Sequence, residues 1–281
     1  MAFAQTTTNY TPLYSDGSVR ATTRLLHTCA LVCRAWSPRA QMHMFAHIYV
    51  NSSKLSSISG TFQHKRFLSS YVRSLWIQRD EPDGVLISSL LVPYRMPKLE
   101  CLRVNHLDLK QEHTSLSLFA STSSLRTLDL DFLQDCTSPQ LLRFINAFPS
   151  ISRLTIWPAQ GFDAIEARQL IKLPKPRYSP SVNRSLQYLE ITLFPGISRV
   201  IRWFINARPL VDNLRSITLY WNSTDGTALH ASFEAAEFLV IRCRASLETL
   251  SIDVDTLTTT ARDAATPTSK YLETISSISL R

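Results

Sequence analysis

Metal ligation is the first chemistry that the residue types suggest. Cys29, Cys33, His43 and His47 follow the spacing C-x3-C-x9-H-x3-H, and a tetrahedral zinc site needs four thiolate or imidazole ligands that converge. Both cysteines, however, lie on the apolar stripe of a helical pattern, and a cysteine in such a place behaves as a small hydrophobic residue. The pattern therefore favours core cysteines and surface histidines, and we expect neither a metal nor another cofactor.

Catalytic motifs are missing from the sequence. It contains neither the nucleophile elbow G-x-S-x-G nor the zinc-protease motif H-E-x-x-H. The six glycines are dispersed, whereas the phosphate-binding loops of nucleotide-binding folds need clustered glycines. His106 and Asp108 could contribute to a triad, but any protein surface supplies such pairs. We therefore expect a chain that binds other molecules and has no enzymatic activity of its own.

Composition and charge indicate a folded protein with one basic end. The chain has 281 residues, of which 44% are hydrophobic and 19% are charged, and its net charge is +8. Residues 1–80 hold nine Lys or Arg against two Asp or Glu, so this end should attract an acidic protein, a nucleic acid or an anionic membrane. Scattered cysteines, short apolar runs and the lack of a secretory leader favour the cytoplasm or nucleus and no membrane partner.

A six-residue unit, apolar-x-x-apolar-x-apolar, recurs along the chain. Its central residues are Leu75, Leu102, Leu128, Leu154, Leu189, Ile217, Leu250 and Ile278, spaced 26 to 35 residues apart. The alternation within each unit is that of a strand, and amphipathic helical stretches lie between several units. This alternation is the signature of leucine-rich repeats. The sequence thus predicts an α/β fold, an irregular leucine-rich-repeat solenoid that follows a short helical segment.

Serine–proline pairs mark the start of two predicted helices. Ser138 is expected to cap one helix and Pro139 to take its first position, and Ser37 and Pro38 predict the same arrangement nearer the N-terminus. Three helical stretches between the repeat units each show one apolar face. These faces are Leu141, Leu142, Ile145 and Phe148 in the first, Ile197, Val200, Ile201 and Phe204 in the second, and Phe233, Ala236, Val240 and Cys243 in the third.

Side chains that flank the central residue of each unit point away from the core, because strand side chains alternate. Stacked units would bring them together on the concave face of the solenoid. This predicted substrate-binding set comprises Trp76, Arg103, Asn105, Asp129, Asp131, Arg153, Trp157, Tyr188, Glu190 and Tyr220. Aromatic residues and arginines are typical interface anchors, and the alternating charges favour a protein segment as ligand. Two alternatives stay open: loops cover Trp76 and Trp157, or residues 158–185 bind the substrate.

Residues 22–50 predict two helices ahead of the repeats. Leu26, Cys29, Cys33 and Trp36 form the apolar stripe of the first, and an extended segment follows the second. The stretch CALVCRAWSPRAQMHMF, residues 29–45, resembles the C-terminal half of the F-box of many fungal proteins. In that family the similar helix precedes a short helix and then leucine-rich repeats. The resemblance covers residues 22–50 closely and the repeats loosely.

The resemblance implies a substrate-recruiting subunit of a cullin-RING ubiquitin ligase, in which partner enzymes perform the chemistry. It implies three parts: a flexible segment over residues 1–20, partial F-box-like helices over 21–50 and the repeats over 51–281. The ligase adaptor, an acidic protein, would bind the helices, and an unknown protein substrate the repeats. The implied adaptor-binding residues are Leu26, Leu31, Val32, Arg34, Trp36 and Pro38. Among them we expect Leu31 and Pro38 to be the more exposed and Trp36 to be in the core.

Other interpretations stay open. The Leu-Pro helix that usually opens an F-box has no counterpart in residues 1–20, which leaves a repeat-based protein-binding module outside ubiquitylation as the alternative. Nucleic-acid binding at the basic end is a third, disfavoured hypothesis, with Phe62, Phe67 and Tyr71 near Lys65 as its aromatic residues. The acid-poor N-terminus also has features of a mitochondrial transit peptide, but its apolar helical patterning argues against removal.

Overall fold

The computed structural model describes residues 24–26, 28–29, 31, 35–78, 96–106, 119, 122–133, 137–148, 150–158, 186–194, 197–206, 212–222 and 230–255. Its strands are β1 (His47–Val50), β2 (Ser74–Gln78), β3 (Cys101–Asn105), β4 (Thr127–Leu133), β5 (Arg153–Pro158), β6 (Tyr188–Leu193), β7 (Ser216–Asn222) and β8 (Thr249–Asp255). Its α-helices are α1 (Ser37–Ala46), α2 (Ser52–His64), α3 (Ser138–Asn146), α4 (Ile197–Asn206) and α5 (His230–Cys243), and a 3-10 helix spans Arg66–Tyr71.

The strands form one open, parallel sheet in which they follow each other in chain order from β1 to β8. The central residues of the repeat units are direct partners across it, in the order Leu75, Leu102, Leu128, Leu154, Leu189, Ile217 and Leu250. The α/β fold with regularly stacked strands is thereby confirmed for these units. The unit around Ile278 lies outside the described residues.

The extended segment after α1 is the first strand of the sheet. Ile48 of β1 pairs with Leu75 of β2 in the same register as the later strands. The N-terminal helix α1 is therefore continuous with the edge of the sheet, and it packs on the 3-10 helix that leads into β2. Phe45 of α1 contacts the ring of the fully buried Phe62 of α2, with centroids 6.3 Å apart.

Alternation along each strand builds the core. From β2 to β7 the central residue and the residue two positions later point to the same side and are buried, as in the pairs Leu102 and Val104 or Leu154 and Ile156. The faces predicted for α3, α4 and α5 are all buried and join these strand residues in a single cluster. Each fully buried Val, Leu, Ile or Phe side chain of this cluster contributes about 1.5–3 kcal/mol to the free energy of unfolding. Hydrophobic burial on this side fixes which residues face outward on the other.

The predicted helix starts are displaced by one residue. α3 is capped by Thr137 rather than Ser138, and Gln140 Oε1 accepts a hydrogen bond from the Thr137 backbone N–H at 2.9 Å. α1 likewise begins after Trp36, whose carbonyl accepts the N–H of Ala40 at 2.9 Å. Proline therefore takes the second helical position in both helices. It is tolerated there because N–H groups of the first turn have no intrahelical acceptor.

Each unit is joined to the next by a repeated hydrogen-bond motif, which we term the carbonyl ladder. The Arg73 carbonyl accepts the N–H groups of Glu100 and Cys101 at 2.7 and 3.0 Å. The carbonyls of Glu100, Arg126, Ser152, Gln187 and Arg215 each accept two consecutive N–H groups of the following unit in the same way. Each acceptor lies two residues before a central residue. The ladder therefore fixes the point at which every strand from β3 to β8 starts.

Candidate functional site

The outer sheet face consists of the strand residues that lie one before, one after and three after each central residue. Strand alternation directs these side chains away from the core, and the register places them in rows. One row contains Trp76, Arg103 and Asp129, and another contains Asn105, Asp131 and Trp157. Arg153 and Tyr188 are neighbours in the third row. The structure thus places all ten predicted substrate-binding residues, Glu190 and Tyr220 included, on this face.

An aromatic and basic cluster occupies the β1–β3 end of the face. The Arg103 guanidinium lies 4.6 Å from the Trp76 ring centroid, and its Nη2 is 3.1 Å from Asp131 Oδ2. The other neighbour of Trp76 is Tyr49, whose ring is 5.0 Å away in an edge-on arrangement. Lys54 in turn lies 4.7 Å from the Tyr49 ring. Trp76 and Arg103 are therefore partly engaged within the chain.

The short polar residues in the middle of the face are less accessible than predicted. Asn105 is only 9% exposed and Asp131 only 7%, so the expectation that both present free side chains to a substrate is wrong. Neighbouring strands are about 4.8 Å apart, and the longer side chains of Trp76, Arg103 and Trp157 stand beside them. Long residues can thus shield short ones in the same row or in the adjacent row. Exposure on this face depends on side-chain length as well as on direction.

Asp129 lies among these residues and is half-buried. Burial raises the pKa of its carboxyl group above the ordinary value, although a hydrogen bond with Thr155 and the charges of Arg103 and Arg153 act in the opposite direction. The adjacent Cys101 thiol has its pKa raised to about 11 by burial and by the Asp129 charge. Cys101 therefore stays a neutral thiol near neutral pH and is a poor nucleophile.

A second aromatic cluster occupies β5–β7. The rings of Trp157 and Tyr220 lie 4.7 Å apart, and Glu190 on the strand between them accepts hydrogen bonds from both side chains. Trp157 is 36% exposed and Tyr188, beside the cluster, is 39% exposed. The Arg153 guanidinium lies 4.9 Å from the Tyr188 ring. We call Trp157, Glu190 and Tyr220 the aromatic–carboxylate site.

Burial and neighbouring carboxylates both act on the ionisable groups of the aromatic–carboxylate site. Burial, followed by the charge of Asp129, raises the pKa of Glu190. Burial together with the charges of Glu190 and Asp253 raises the pKa of Tyr220 to about 12. The site can therefore offer two aromatic rings and a partly shielded negative charge to a ligand. Such groups support cation–π contacts and charge-assisted hydrogen bonds.

The N-terminal segment exposes more apolar surface than predicted. Leu31 is 74% exposed and Pro38 is exposed, which confirms both expectations. Trp36, predicted in the core, is instead 55% exposed at the N-cap of α1. Leu25 is exposed as well, and we refer to the three exposed residues Leu25, Leu31 and Trp36 of the N-terminal segment as the N-terminal apolar patch. Leu26 is half-buried, and Val32 and Arg34 lie outside the described residues.

A groove between α4 and α5 was not predicted. It has a volume of about 360 Å³ and is lined by Arg202, Ile205, Asn206, Phe238, Ile241 and Arg242. Phe238 and Ile241 are exposed, and Arg202 pairs with Glu234 at 3.4 Å. A signal was present in the sequence, because both apolar residues fall off the Phe233–Val240 face of α5.

Burial of Phe62 weakens the nucleic-acid hypothesis. Phe62 is fully buried, whereas Phe67 is exposed and its ring lies 6.1 Å from that of Tyr71. Of the three aromatic residues considered for base stacking, one therefore belongs to the core. Exposed bases need exposed aromatic faces on which to stack.

Comparison with known proteins adds no family. No family model matches the chain, and no curated protein matches it. Among the described residues, His, Cys, Asp and Glu form no group of three that could hold a metal ion. Within the same part of the chain, every helix is too short or too polar to cross a membrane.

Proposed function

We propose that this chain is the substrate-recruiting subunit of a cullin-RING ubiquitin ligase, with F-box-like N-terminal helices and a leucine-rich-repeat solenoid. The observation that carries the proposal is the presence of two separate binding-type surfaces. The N-terminal apolar patch precedes β1, at one edge of the sheet, whereas the aromatic–carboxylate site lies on β5–β7. At ~4.8 Å per strand, β1 and β5 are about 20 Å apart. An adaptor on the patch would leave the sheet free for a substrate.

The leucine-rich-repeat assignment is supported by the strict stacking of the units. Their central residues pair strand after strand, and the carbonyl ladder repeats at each step. In a solenoid each repeat buries its apolar face against its neighbours, so the strands align to form one extended surface. Extended surfaces of this kind bind proteins by presenting anchors from several repeats.

The adaptor role is supported by the chemistry of the N-terminal apolar patch. Its three residues are large apolar side chains that stay exposed, which makes them candidates for an interaction site, and Leu31 and Trp36 match positions of the F-box resemblance. The exposed Arg24 and Arg39 flank the patch and suit an acidic adaptor. Such rim charges increase the association rate more than the affinity.

Co-purification with the adaptor of a cullin ligase tests this role. Leu31→Asp and Trp36→Asp should each remove the adaptor, whereas Phe238→Asp, an exposed apolar residue on α5, should retain it. Loss of the adaptor in all three variants would point to a general defect and contradict the assignment. If the unaltered chain fails to bind the adaptor, the chain is a repeat-based binding protein outside ubiquitylation, because the sheet face does not depend on the patch.

Substrate capture tests the sheet face. Proteins that co-purify with the chain from its own cells are identified, and the variant with both Arg153→Ala and Trp157→Ala is compared with the unaltered chain. Truncation of a true interface anchor to alanine reduces the binding free energy by more than ~2 kcal/mol. The double variant should therefore fail to bind the substrate and still bind the adaptor. Normal capture by this variant would move the substrate site to another surface.

A further inference from the structure

Three aromatic rings on the outer sheet face each contact the positively charged group of one Lys or Arg residue. Lys54 lies over Tyr49, Arg103 over Trp76 and Arg153 over Tyr188, all at 4.6–4.9 Å from the ring centroid. These cations come from the chain itself. The face therefore uses the same contact, a cation against a ring, along much of its length.

The Trp157–Tyr220 pair differs from these three rings. The described part of the chain places no Lys or Arg over either ring; the two rings pack on each other instead. Trp157 retains more than a third of its surface. The pair is thus an aromatic platform that remains open to a cation from another molecule.

Negative charge surrounds this platform. Glu190 is hydrogen-bonded to both ring side chains, and Asp253 is the strand neighbour of Tyr220. Asp131 is the strand neighbour of Trp157 on the other side but is paired with Arg103. The nearby cation Arg153 is stacked on Tyr188. A second positive charge placed at the rings would offset the negative charge of Glu190 and Asp253.

We infer that the aromatic–carboxylate site binds an arginine side chain of the protein substrate. This inference rests on the proposed role of the sheet face in substrate binding and specifies its ligand. A guanidinium is planar, so it can lie flat on the Trp157 or Tyr220 ring while its N–H groups donate to the Glu190 carboxylate. Lysine offers one strongly hydrated charge and no flat surface. A phosphate or a nucleic acid would be repelled by the carboxylates.

The raised pKa values of Glu190 and Tyr220 are consistent with this ligand. Both groups resist carrying negative charge because burial and neighbouring carboxylates disfavour it. A guanidinium at the site would favour the ionised form of Glu190 and restore its ordinary acidity. In the free protein the ionised form of Glu190 is therefore disfavoured, and the bound guanidinium of the substrate would stabilise it.

Nuclear magnetic resonance can test the inference on the full chain. The indole N–H signal of Trp157 is assigned by its loss in Trp157→Phe. It is then followed during titration with N-acetyl-arginine methylamide, with its citrulline counterpart and with N-acetyl-lysine methylamide. The arginine probe should shift the signal in a saturable way, the lysine probe should bind more weakly, and citrulline, which has the same shape without the charge, should leave it in place.

Two variants locate the binding groups. Glu190→Gln should weaken the arginine probe about tenfold, because it removes the charge from a charge-assisted hydrogen bond. Glu234→Gln, a matched change on α5, should have no effect. Equal binding of arginine and citrulline, or undiminished binding by Glu190→Gln, would overturn the inference. The inference would also be overturned if none of the probes shifted the Trp157 signal. These results leave the proposed function in place, since adaptor and substrate co-purification are measured independently.

Discussion

The Trp157 and Tyr220 rings meet 4.7 Å apart although β5 and β7, which carry them, are separated by β6. The rings therefore reach across β6 toward each other. Glu190 of β6 is held by hydrogen bonds from both. The site is consequently built from three strands. A substitution on one strand should therefore change the pKa of the ionisable group on the next strand.

Tyr220→Phe should raise the pKa of Glu190 further. The Tyr220 hydroxyl donates a hydrogen bond to the Glu190 carboxylate and thereby favours its ionised form. The phenylalanine ring keeps the contact with Trp157 but cannot donate. A carbon-13 titration of the Glu190 side chain measures the change. Tyr71→Phe serves as the control, and an unchanged Glu190 pKa in Tyr220→Phe would contradict the hydrogen bond.

Stability should fall as the pH rises above the ordinary pKa values of Asp129 and Glu190. These values are 3.8 and 4.5, and both are raised in the folded chain. Between the ordinary and the raised values the native chain binds more protons than the unfolded chain, so the free energy of unfolding decreases with increasing pH. Both contributions are fully present below the ordinary values and are lost as the pH passes the raised ones.

Urea unfolding over this pH range measures the effect. Asp129→Asn and Glu190→Gln should each reduce the slope of unfolding free energy against pH. Glu248→Gln, which removes an exposed carboxylate paired with Arg215 at 3.4 Å, should leave the slope as it is. Equal slopes in all of these proteins would show that neither Asp129 nor Glu190 has a raised pKa.

Arg103→Ala should destabilise the chain by about 2 kcal/mol, because it removes the ion pair of a carboxylate that is largely withdrawn from water. The carboxylate belongs to Asp131, whose Oδ2 lies 3.1 Å from the guanidinium. Adding Asp131→Asn should recover part of the loss, since an amide carries no charge. A double-mutant cycle by urea unfolding gives the coupling energy. Additive losses would mean that the two groups do not interact.

Leu128→Ala should reduce the free energy of unfolding by about 2–5 kcal/mol, the range for a fully buried leucine whose truncation leaves a cavity. Leu250→Ala should cost less, because Leu250 on β8 is half-buried while Leu128 is fully buried. Chemical unfolding of the two variants under identical conditions compares them. Equal losses would mean that β8 is covered as completely as β4.

The stacking of the repeat units could be predicted because it depends on periodicity. The positions of Leu75, Leu102 and Leu128 in equivalent units led directly to their pairing in the sheet. The start of α3 could also have been found, because Thr137 is followed three residues later by Gln140. That spacing is a capping-box signature, and it favours Thr137 over Ser138.

The exposed fraction of a side chain was harder to predict than the side of the sheet or helix on which it lies. The helical stripe that contains Trp36 shows which residues share a side, but not whether another element covers that side. Asn105 and Asp131 were correctly placed on the outer face, but their burial follows from the lengths of neighbouring side chains. The contact between Trp157 and Tyr220 crosses a strand, so it depends on how far each ring leans. These features are set by packing between distant parts of the chain.

The carbonyl ladder has a consequence for how this protein can change over generations. It holds the starts of strands β3 to β8 through pairs of backbone N–H groups on each carbonyl, so it places few demands on side chains. Insertions or deletions in the segment between the end of one strand and the start of the next need not disturb the sheet. This tolerance fits the unit spacings, which vary from 26 to 35 residues. Selection can therefore alter the connecting segments and the outer row of side chains while the scaffold stays the same. A lineage could acquire a new ligand through the inheritance of small, local changes.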